Sequence, residues 1–468
     1  MRAKQRHQSM PDERRYAVQG KGNSEAERVA YAVTHMAANK AYRYAAERAG
    51  GDPDGSILAA HCERFRAYRA GWRGYPREAV ARKLHATYYQ ETGHPPQSVD
   101  LEVAAICDLA CPFCYRQWIA TPDKLITDAL CGRLLDQCGA LGVPSVKFNW
   151  RGEPLLHPKL AAYVDDAKRA GVLETIINTN AVTLTEEKAR ALIEAGLDLI
   201  IYSFDGGTKA TYEKMRVGRF EANTFEPVYA NIRRFAELRA AMGSPWPRTK
   251  IQMILTAETY PEQEEFFARF SDCVDDVSVK AYTERGGSLP DLEPATQAQV
   301  RAFLRHRGLP LSTPYWRDRE GGVFVSTGRL ACEQIYQRLM VTYDGTVSMC
   351  CYDWGSEYPI GYVDERAWTQ APRDYQVVMD KAAQGAAGFE RLANVQMPRR
   401  YVEPPQRVQT LQEIWEGAIL SEVRRAHVED RLEEVPICKA CPFKETYRWE
   451  PVPLTGSAGS VPLPAVAA

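Results

Sequence analysis

Cys107, Cys111 and Cys114 lie in the run Cys107-Asp-Leu-Ala-Cys111-Pro-Phe-Cys114-Tyr115-Arg116, a Cys-x3-Cys-x2-Cys spacing with an aromatic residue directly after the last thiol. Three thiolates on one short loop can hold three irons of a cubane and leave the fourth iron open to a small molecule. Structural zinc is closed and tetrahedral, and wants a fourth protein ligand close by. An iron–sulfur cluster is normally held by four cysteines, so the missing fourth thiol points to chemistry at the open iron. Zinc and unrelated buried thiols are the alternatives. A second group lies downstream, where Cys332, Cys350, Cys438 and Cys441 are spaced Cys-x17-Cys and Cys-x2-Cys. Four thiolates can close a 4Fe–4S cluster or form a four-cysteine zinc ribbon. Cys351 adjoins Cys350; it could replace Cys350 as ligand, donate a hydrogen atom to a substrate radical, or only fill space.

The other cysteines, Cys62, Cys131, Cys138 and Cys273, stand singly and read as small buried hydrophobes. Twelve cysteines without an apolar export segment in Met1–Arg15 suit a reducing cytosol, where thiols are metal ligands or catalytic groups more often than disulfides. A net charge of −1 gives no global basic field for nucleic acid or an anionic membrane. No stretch approaches the ~18 apolar residues of a transmembrane helix. The chain of 468 residues is long enough for two or three domains.

The elements that must position these thiols follow from periodicity. Residues 1–22 read as disordered, and 23–97 as a helical N-terminal region. Ser24 and Glu27 form a capping-box pattern that opens a helix ending at Gly50-Gly51. A second helix is expected over Ser56–Ala70 and a third near Arg77–Tyr89. Residues 98–290 alternate strand and helix, with apolar runs at Leu101–Ile106, Val143–Trp150, Leu173–Asn178, Leu197–Phe204, Ile251–Leu255 and Val277–Ala281. Strands separated by helices mean parallel βαβ units, and six of them fit an α/β partial (β/α)6 barrel. Residues 291–329 read as a linker, 330–450 as a small cysteine-bearing domain, and 451–468 as a disordered tail. Within the small domain, Gln337–Thr342 and Thr346–Met349 flank Asp344-Gly345, a hairpin signal.

Functional groups of such barrels gather at the C-terminal ends of the strands. Those ends carry Asn149-Trp150-Arg151-Gly152-Glu153-Pro154, then Asn178 and Asn180, then Ser203 and Asp205, and finally Tyr282, Glu284 and Arg285. Glu284 is a candidate base after hydrogen abstraction. Arg151 is read either as a partner for a substrate carboxylate or phosphate or as a surface arginine paired with a neighbouring acid.

The cysteine run resembles the cluster-binding loop of the radical S-adenosylmethionine (radical SAM) superfamily. In that family the loop follows the first barrel strand, and the open iron is chelated by SAM. Reduction then yields a 5′-deoxyadenosyl radical that takes a hydrogen atom from the substrate. Gly152-Glu153-Pro154 resembles the family motif Gly-Gly-Glu-Pro, with Arg151 in place of the first glycine. The resemblance implies a SAM site of Tyr115, Gly152, Glu153, Pro154, Asn178, Asn180, Ser203, Asp205 and Arg216. It also implies an electron donor such as flavodoxin or ferredoxin. The C-terminal thiols resemble a SPASM/Twitch auxiliary-cluster domain. Cys441 is followed by no further cysteine, so the Twitch-like form with one auxiliary cluster is the closer match.

These resemblances imply an oxidoreductase that oxidises a C–H or alcohol centre of a sugar or aminocyclitol-like molecule, with the auxiliary cluster accepting an electron. A peptide maturase and a redox-neutral epimerase or dehydratase are the enzymatic alternatives. A zinc-stabilised binding protein is the non-enzymatic one.

Overall fold

Alternation fixes the central sheet. In the computed structural model, half-buried and buried residues alternate along Glu174–Thr179, Leu199–Ser203 and Arg248–Leu255. The buried set faces the helices, as Tyr202 does against Phe235, with ring centroids 6.2 Å apart. The structure describes residues 24–256, 258–281, 294–309, 313, 315–317, 322–390, 395–439, 441, 443 and 446–454. The strands are β1 Ser98–Leu101, β2 Ser145–Lys147, β3 Glu174–Thr179, β4 Leu199–Ser203, β5 Arg248–Leu255, β6 Asp276–Ala281, β7 Tyr315–Arg317, β8 Val323–Arg329, β9 Arg338–Val341, β10 Thr346–Ser348, β11 Pro359–Tyr362 and β12 Tyr447–Val452.

Strands β1 to β6 pair in sequence order, all parallel. Helices cross between them, so this is the α/β partial barrel expected from the sequence. Threonines start several crossover helices: Thr127, Thr185 and Thr208 each accept a backbone N–H at a helix N-terminus. β1 begins three residues earlier than its apolar run and ends at Leu101. Beyond it Glu102 N still donates to Val341 O (2.8 Å), and Ala104 forms an isolated bridge with Leu125.

The Asp344-Gly345 hairpin forms, with Val347 opposite Val341. It does not stand apart as a small ribbon. β9 lies parallel to β1, and β10 and β11 continue outward, giving the order β11-β10-β9-β1-β2-β3-β4-β5-β6.

Among the described residues, those of 1–282 and 333–425 form one compact unit, and those of 283–332 and 426–468 a second. The second unit corrects two expectations. The segment 291–329 is not a linker: it holds the helix Pro294–His306 and strands β7 and β8. The tail expected to be disordered from residue 451 starts inside β12, which pairs antiparallel with β8 as far as Val452. Alternating Val323 and Val325 bury against Val300, Leu304 and Val452, which is the core that a Pro- and Gly-rich reading missed. Residues 1–22 and 455–468 lie outside the described residues.

The N-terminal helices also differ. The capping box at Ser24 and Glu27 forms, but the first helix breaks at His35–Asn39. Asn39 caps a new helix, Lys40–Arg48, by accepting from Ala41 N, and its side-chain amide donates to Asp198 (2.7 Å). The second and third helices are one, Ser56–Ala81, running through Pro76. Proline removes the N–H that Trp72 O would accept. Gln337 Nε2 donates to that carbonyl instead, at 2.6 Å.

Candidate functional site

The cysteine loop hangs from the end of β1 and is fastened to the segment after the helix Lys209–Met215. Ala110 N donates to Val217 O (2.8 Å), Arg219 N donates to Asp108 O (2.8 Å), and Leu109 bridges Gly218. Within the loop, Cys114 N donates to Cys111 O (3.0 Å). Cys111 is buried, while Cys107 and Cys114 are half-buried, and all three are free thiols. The Tyr115 ring meets Trp354 edge-on at 5.8 Å. Arg219 braces the loop with two bonds to Asp123, at 2.7 and 2.9 Å.

Gly152-Glu153-Pro154 lies directly against this loop. Gly152 has φ +74°, and a Cβ there would sit 2.2 Å from Ala104 O and 2.6 Å from Ile106 O. Only glycine allows both the left-handed backbone and this approach. The next residue, Glu153, donates its N–H to Ile106 O (2.8 Å). Pro154 opens a single 3-10 turn, with Glu153 capping it through Leu155 N (3.0 Å).

The Glu153 carboxylate is buried and collects Thr179 Oγ1 (2.7 Å) and Asn180 N (2.8 Å) from the end of β3. Asn180 Nδ2 in turn donates to Asp108 (2.6 Å), and Asn180 Oδ1 accepts from Val182 N (2.9 Å). Both polar side-chain atoms of Asn180 thus make a hydrogen bond within the protein, which fixes the orientation of its amide beside Glu153, with one N–H and one lone pair left over. Burial pushes the Glu153 carboxyl up, and the nearby Asp108 reinforces the rise. Burial raises Asp108 as well. A cation placed beside these two acids would relieve both.

The opposite wall comes from β4. Asp205 is fully buried; it accepts from Ile254 N (2.5 Å) and pairs with Arg216 (2.5 Å). Burial works against the Arg216 charge, but Asp205 and Cys111 outweigh it and hold the guanidinium protonated. Arg216 Nη1 lies 3.8 Å from Cys111 Sγ. Ser203 is half-buried on the inward face of β4. Glu262 fixes the turn after Asp205 by accepting from Gly207 N (2.8 Å), Thr208 N (3.0 Å) and the hydroxyls of Thr208 and Thr211.

Arg151 fits neither expectation. It is fully buried, forms two bonds with Glu102 at 2.5 and 2.8 Å, and donates to Trp354 O (3.0 Å). Glu102 also accepts from Tyr343 N (3.2 Å). The guanidinium is thus spent inside the protein. Arg151→Met is expected to cost about 3–5 kcal/mol, because it leaves Glu102 buried and unpaired. The double change Glu102→Leu with Arg151→Met should recover most of that in denaturant unfolding. A single-variant loss below about 1 kcal/mol, the range of exposed pairs, would contradict the burial of this pair.

The C-terminal thiols divide between the two units. In the first, Cys350 is buried after β10, and Cys351 Sγ lies 3.5 Å from Gln334 Oε1. In the second are Cys332, Cys438 and Cys441. His427 Nδ1 accepts from Cys332 N (3.0 Å), so its neutral ring carries the proton on Nε2, which faces Cys438 Sγ at 3.3 Å. Phe443 N points at Cys441 Sγ (3.4 Å). Donors aimed at sulfur suit thiolate ligands of a cluster. Glu284, with Tyr282 and Arg285, lies outside the described residues.

Among the described residues, no three His, Cys, Asp or Glu side chains converge as a single metal ion would require. A cubane instead spreads its thiolates over separate irons. Among the described residues, buried atoms around the strand ends that lack a hydrogen-bond partner include Asp108 Oδ2, Asn178 Oδ1 and Arg216 Nε. An acid, an amide oxygen and a guanidinium are the complement of an amino, a hydroxyl and a carboxylate group, so these residues fit SAM. Asp108, Arg219, Glu262 and His427 were missed in the sequence. Only Asp108, inside the cysteine run, carried a signal there.

The profile of the radical SAM superfamily matches residues 101–255, and that of an iron–sulfur cluster-binding domain, SPASM, matches 332–374. A GTP 3′,8-cyclase of Synechococcus sp. (strain CC9902) is 30% identical over 286 residues, covering 56% of this chain and 80% of that protein. A probable GTP 3′,8-cyclase of Methanopyrus kandleri is 29% identical over 203 residues, 43% of this chain and 61% of that one. The PqqA peptide cyclase of Gluconobacter oxydans is 32% identical over 175 residues, 37% and 46%. The chain thus spans less than two thirds of the latter two relatives. Among the described residues no helix is long and apolar enough to cross a membrane. The chain belongs to the radical SAM superfamily, as an enzyme whose cofactors are SAM and 4Fe–4S clusters, one of them auxiliary.

Proposed function

We propose that the protein removes a hydrogen atom from a hydroxylated small molecule lying on the inward face of the barrel, and oxidises a C–H or alcohol centre of sugar or aminocyclitol type. The observation that carries this reading is the polar row across three strands. Ser203 pairs with Gln252, and Gln252 with Ser278, so all three share the inward face at one level. Hydroxyl and amide groups there can exchange hydrogen bonds with a polyol, whereas an aliphatic lining could not.

When bound, the reduced cluster and SAM supply the hydrogen-abstracting chemistry. Cys107, Cys111 and Cys114 would hold the cluster. Glu153, backed by Asp108, would take the SAM ammonium; Arg216, oriented by Asp205, its carboxylate; and Asn178 a ribose hydroxyl. Tyr115 would cover the loop against Trp354. Cys332, Cys350, Cys438 and Cys441 would hold the auxiliary cluster, which would supply an electron acceptor. Cys351 would stand beside that set, and Glu284 would take up the substrate proton. A flavodoxin or ferredoxin in a reducing cytoplasm would supply the first electron.

A second reading, cyclisation of a peptide, is favoured by the similarity to a peptide cyclase. Deuterium-labelled substrates separate the two. Label moving irreversibly into 5′-deoxyadenosine with a ketone product is expected. A peptide losing two hydrogens would support the second reading, and solvent hydrogen in an otherwise unchanged product would indicate an epimerase.

A further inference from the structure

Three of the candidate auxiliary-cluster ligands, Cys332, Cys438 and Cys441, lie in the second unit. Cys438 sits in the short helix Pro436–Lys439, and Cys441 N donates to Cys438 O (3.2 Å) to close the turn between them. Arg329 of β8 donates to the same carbonyl (2.9 Å) and to Tyr447 OH (3.1 Å), and lies over the Tyr447 ring at 4.0 Å. Tyr447 OH donates in turn to Cys441 O (2.6 Å). The backbone that presents both thiols is thus clamped from β8 and β12.

His427 reaches this loop from the end of the helix Ala418–Val428 and is 3% exposed. Its Nδ1 accepts from Cys332 N (3.0 Å), so that nitrogen carries no proton. The neutral ring then holds its proton on Nε2, 3.3 Å from Cys438 Sγ. One imidazole therefore links the backbone of one candidate ligand to the sulfur of another. A buried imidazole must satisfy both nitrogens, yet the partner of Nε2 is a sulfur, a weak acceptor when it is a neutral thiol. Hydrogen bonds to ionised groups are roughly twice as strong. The arrangement gains most when Cys438 is a deprotonated ligand.

A donor aimed at a ligating sulfur stabilises the reduced state of a cluster more than the oxidised state, because reduction adds negative charge to the sulfurs. Hydrogen bonds of this kind are one of the terms that set cluster potentials. Phe443 N, 3.4 Å from Cys441 Sγ, and the Arg329 charge beside Cys438 act in the same direction.

We propose that His427 is a positioning residue that tunes the auxiliary cluster. Its Nε2–H bond to Cys438 Sγ raises the reduction potential there, while Nδ1 fixes Cys332 relative to Cys438. The inference rests on the auxiliary-cluster reading of these thiols and adds a direction to it. A raised potential suits an acceptor of the single electron that the substrate radical gives up, and disfavours handing that electron back.

The test uses the full-length protein with Cys107, Cys111 and Cys114 replaced by alanine and loaded anaerobically with iron and sulfide, so that one cluster is read alone. Iron content is measured, and a potentiometric titration is followed by electron paramagnetic resonance. His427→Gln keeps an N–H where Nε2–H stood. His427→Asn keeps an acceptor for Cys332 N but no donor to the sulfur, and His427→Leu keeps neither. About four irons per chain are expected throughout. The reduced-to-oxidised ratio at a fixed potential should fall about tenfold in His427→Leu and His427→Asn, a downward shift of about 59 mV. In His427→Gln it should return to within about threefold of the parent. A ring that only filled space would leave the Gln and Asn variants alike. Equal potentials in those two overturn the tuning role, whatever the stability of His427→Leu. Iron lost from all three variants would make His427 a ligand and also overturn it. Zinc, or no metal, in the histidine-bearing parent would remove the auxiliary-cluster reading itself and this role with it, so the two failures are told apart.

Discussion

Replacing Cys107, Cys111 and Cys114 together with alanine is expected to halve the iron of the anaerobically purified protein, from about eight atoms per chain to about four. It should also abolish 5′-deoxyadenosine formation from SAM under strong reductant. The three thiols share one loop after β1, while the other four candidate ligands belong to segments far along the chain, so removing one set leaves the other intact. The loop's fastening also survives the change. Its bonds to Val217 O and from Arg219 N involve the backbone, and Asp123 continues to engage Arg219. Lost iron would therefore report lost ligands rather than a collapsed loop. Unchanged iron in the triple variant would refute the assignment of these cysteines, and zinc in place of iron in the unaltered protein would refute both clusters.

Gly152→Ala should be nearly as damaging, although it adds a single methyl group. The new Cβ would lie 2.2 Å from Ala104 O and 2.6 Å from Ile106 O, both backbone atoms with little freedom to retreat. The positive φ adds strain for any other residue. A loss of about 2–4 kcal/mol is expected in denaturant unfolding. The backbone must shift where Glu153 N meets Ile106 O, and that shift moves the carboxylate that would receive the SAM ammonium. SAM affinity should fall about a hundredfold, or about 2.7 kcal/mol, measured by equilibrium dialysis. Gly132→Ala is the matched control. It lies in the helix Asp128–Leu141 with nothing within 4 Å of the added Cβ, and it should stabilise by about 0.5–1 kcal/mol. Wild-type SAM affinity in Gly152→Ala would contradict the role of this turn.

The sequence carried the α/β fold and the family because both are written locally. Cysteine spacing, the Gly-Glu-Pro triplet and strand alternation each fit within a few residues. What escaped it depends on partners far apart in the chain. Arg151 looked available, yet its acid lies 49 residues earlier in Glu102. The helices expected over Ser56–Ala70 and near Arg77–Tyr89 are joined through Pro76, and the carbonyl of Trp72 that the proline leaves without its helical donor is satisfied from residue 337, 265 positions away. Glu262 secures the turn after Asp205 from 54 residues downstream of Thr208, and no motif marks it. The segment 291–329 misled because its valines need β12 as a partner before they read as a sheet. Composition shows turn formers, but not the strand that arrives more than a hundred residues later.

The pairing of β9 with β1 limits how the chain can be cut. β1 carries the cysteine loop, and it is flanked on one side by β2 and on the other by a strand from beyond residue 333. Without that later segment, Val99 and Leu101 would lie on an exposed sheet margin, where unpaired amides recruit other chains. The auxiliary-cluster region is therefore not an appendage that could be trimmed to leave a minimal catalytic barrel. Its first strand is a structural wall of the barrel, so a chain cut before residue 333 would leave the edge of β1 open.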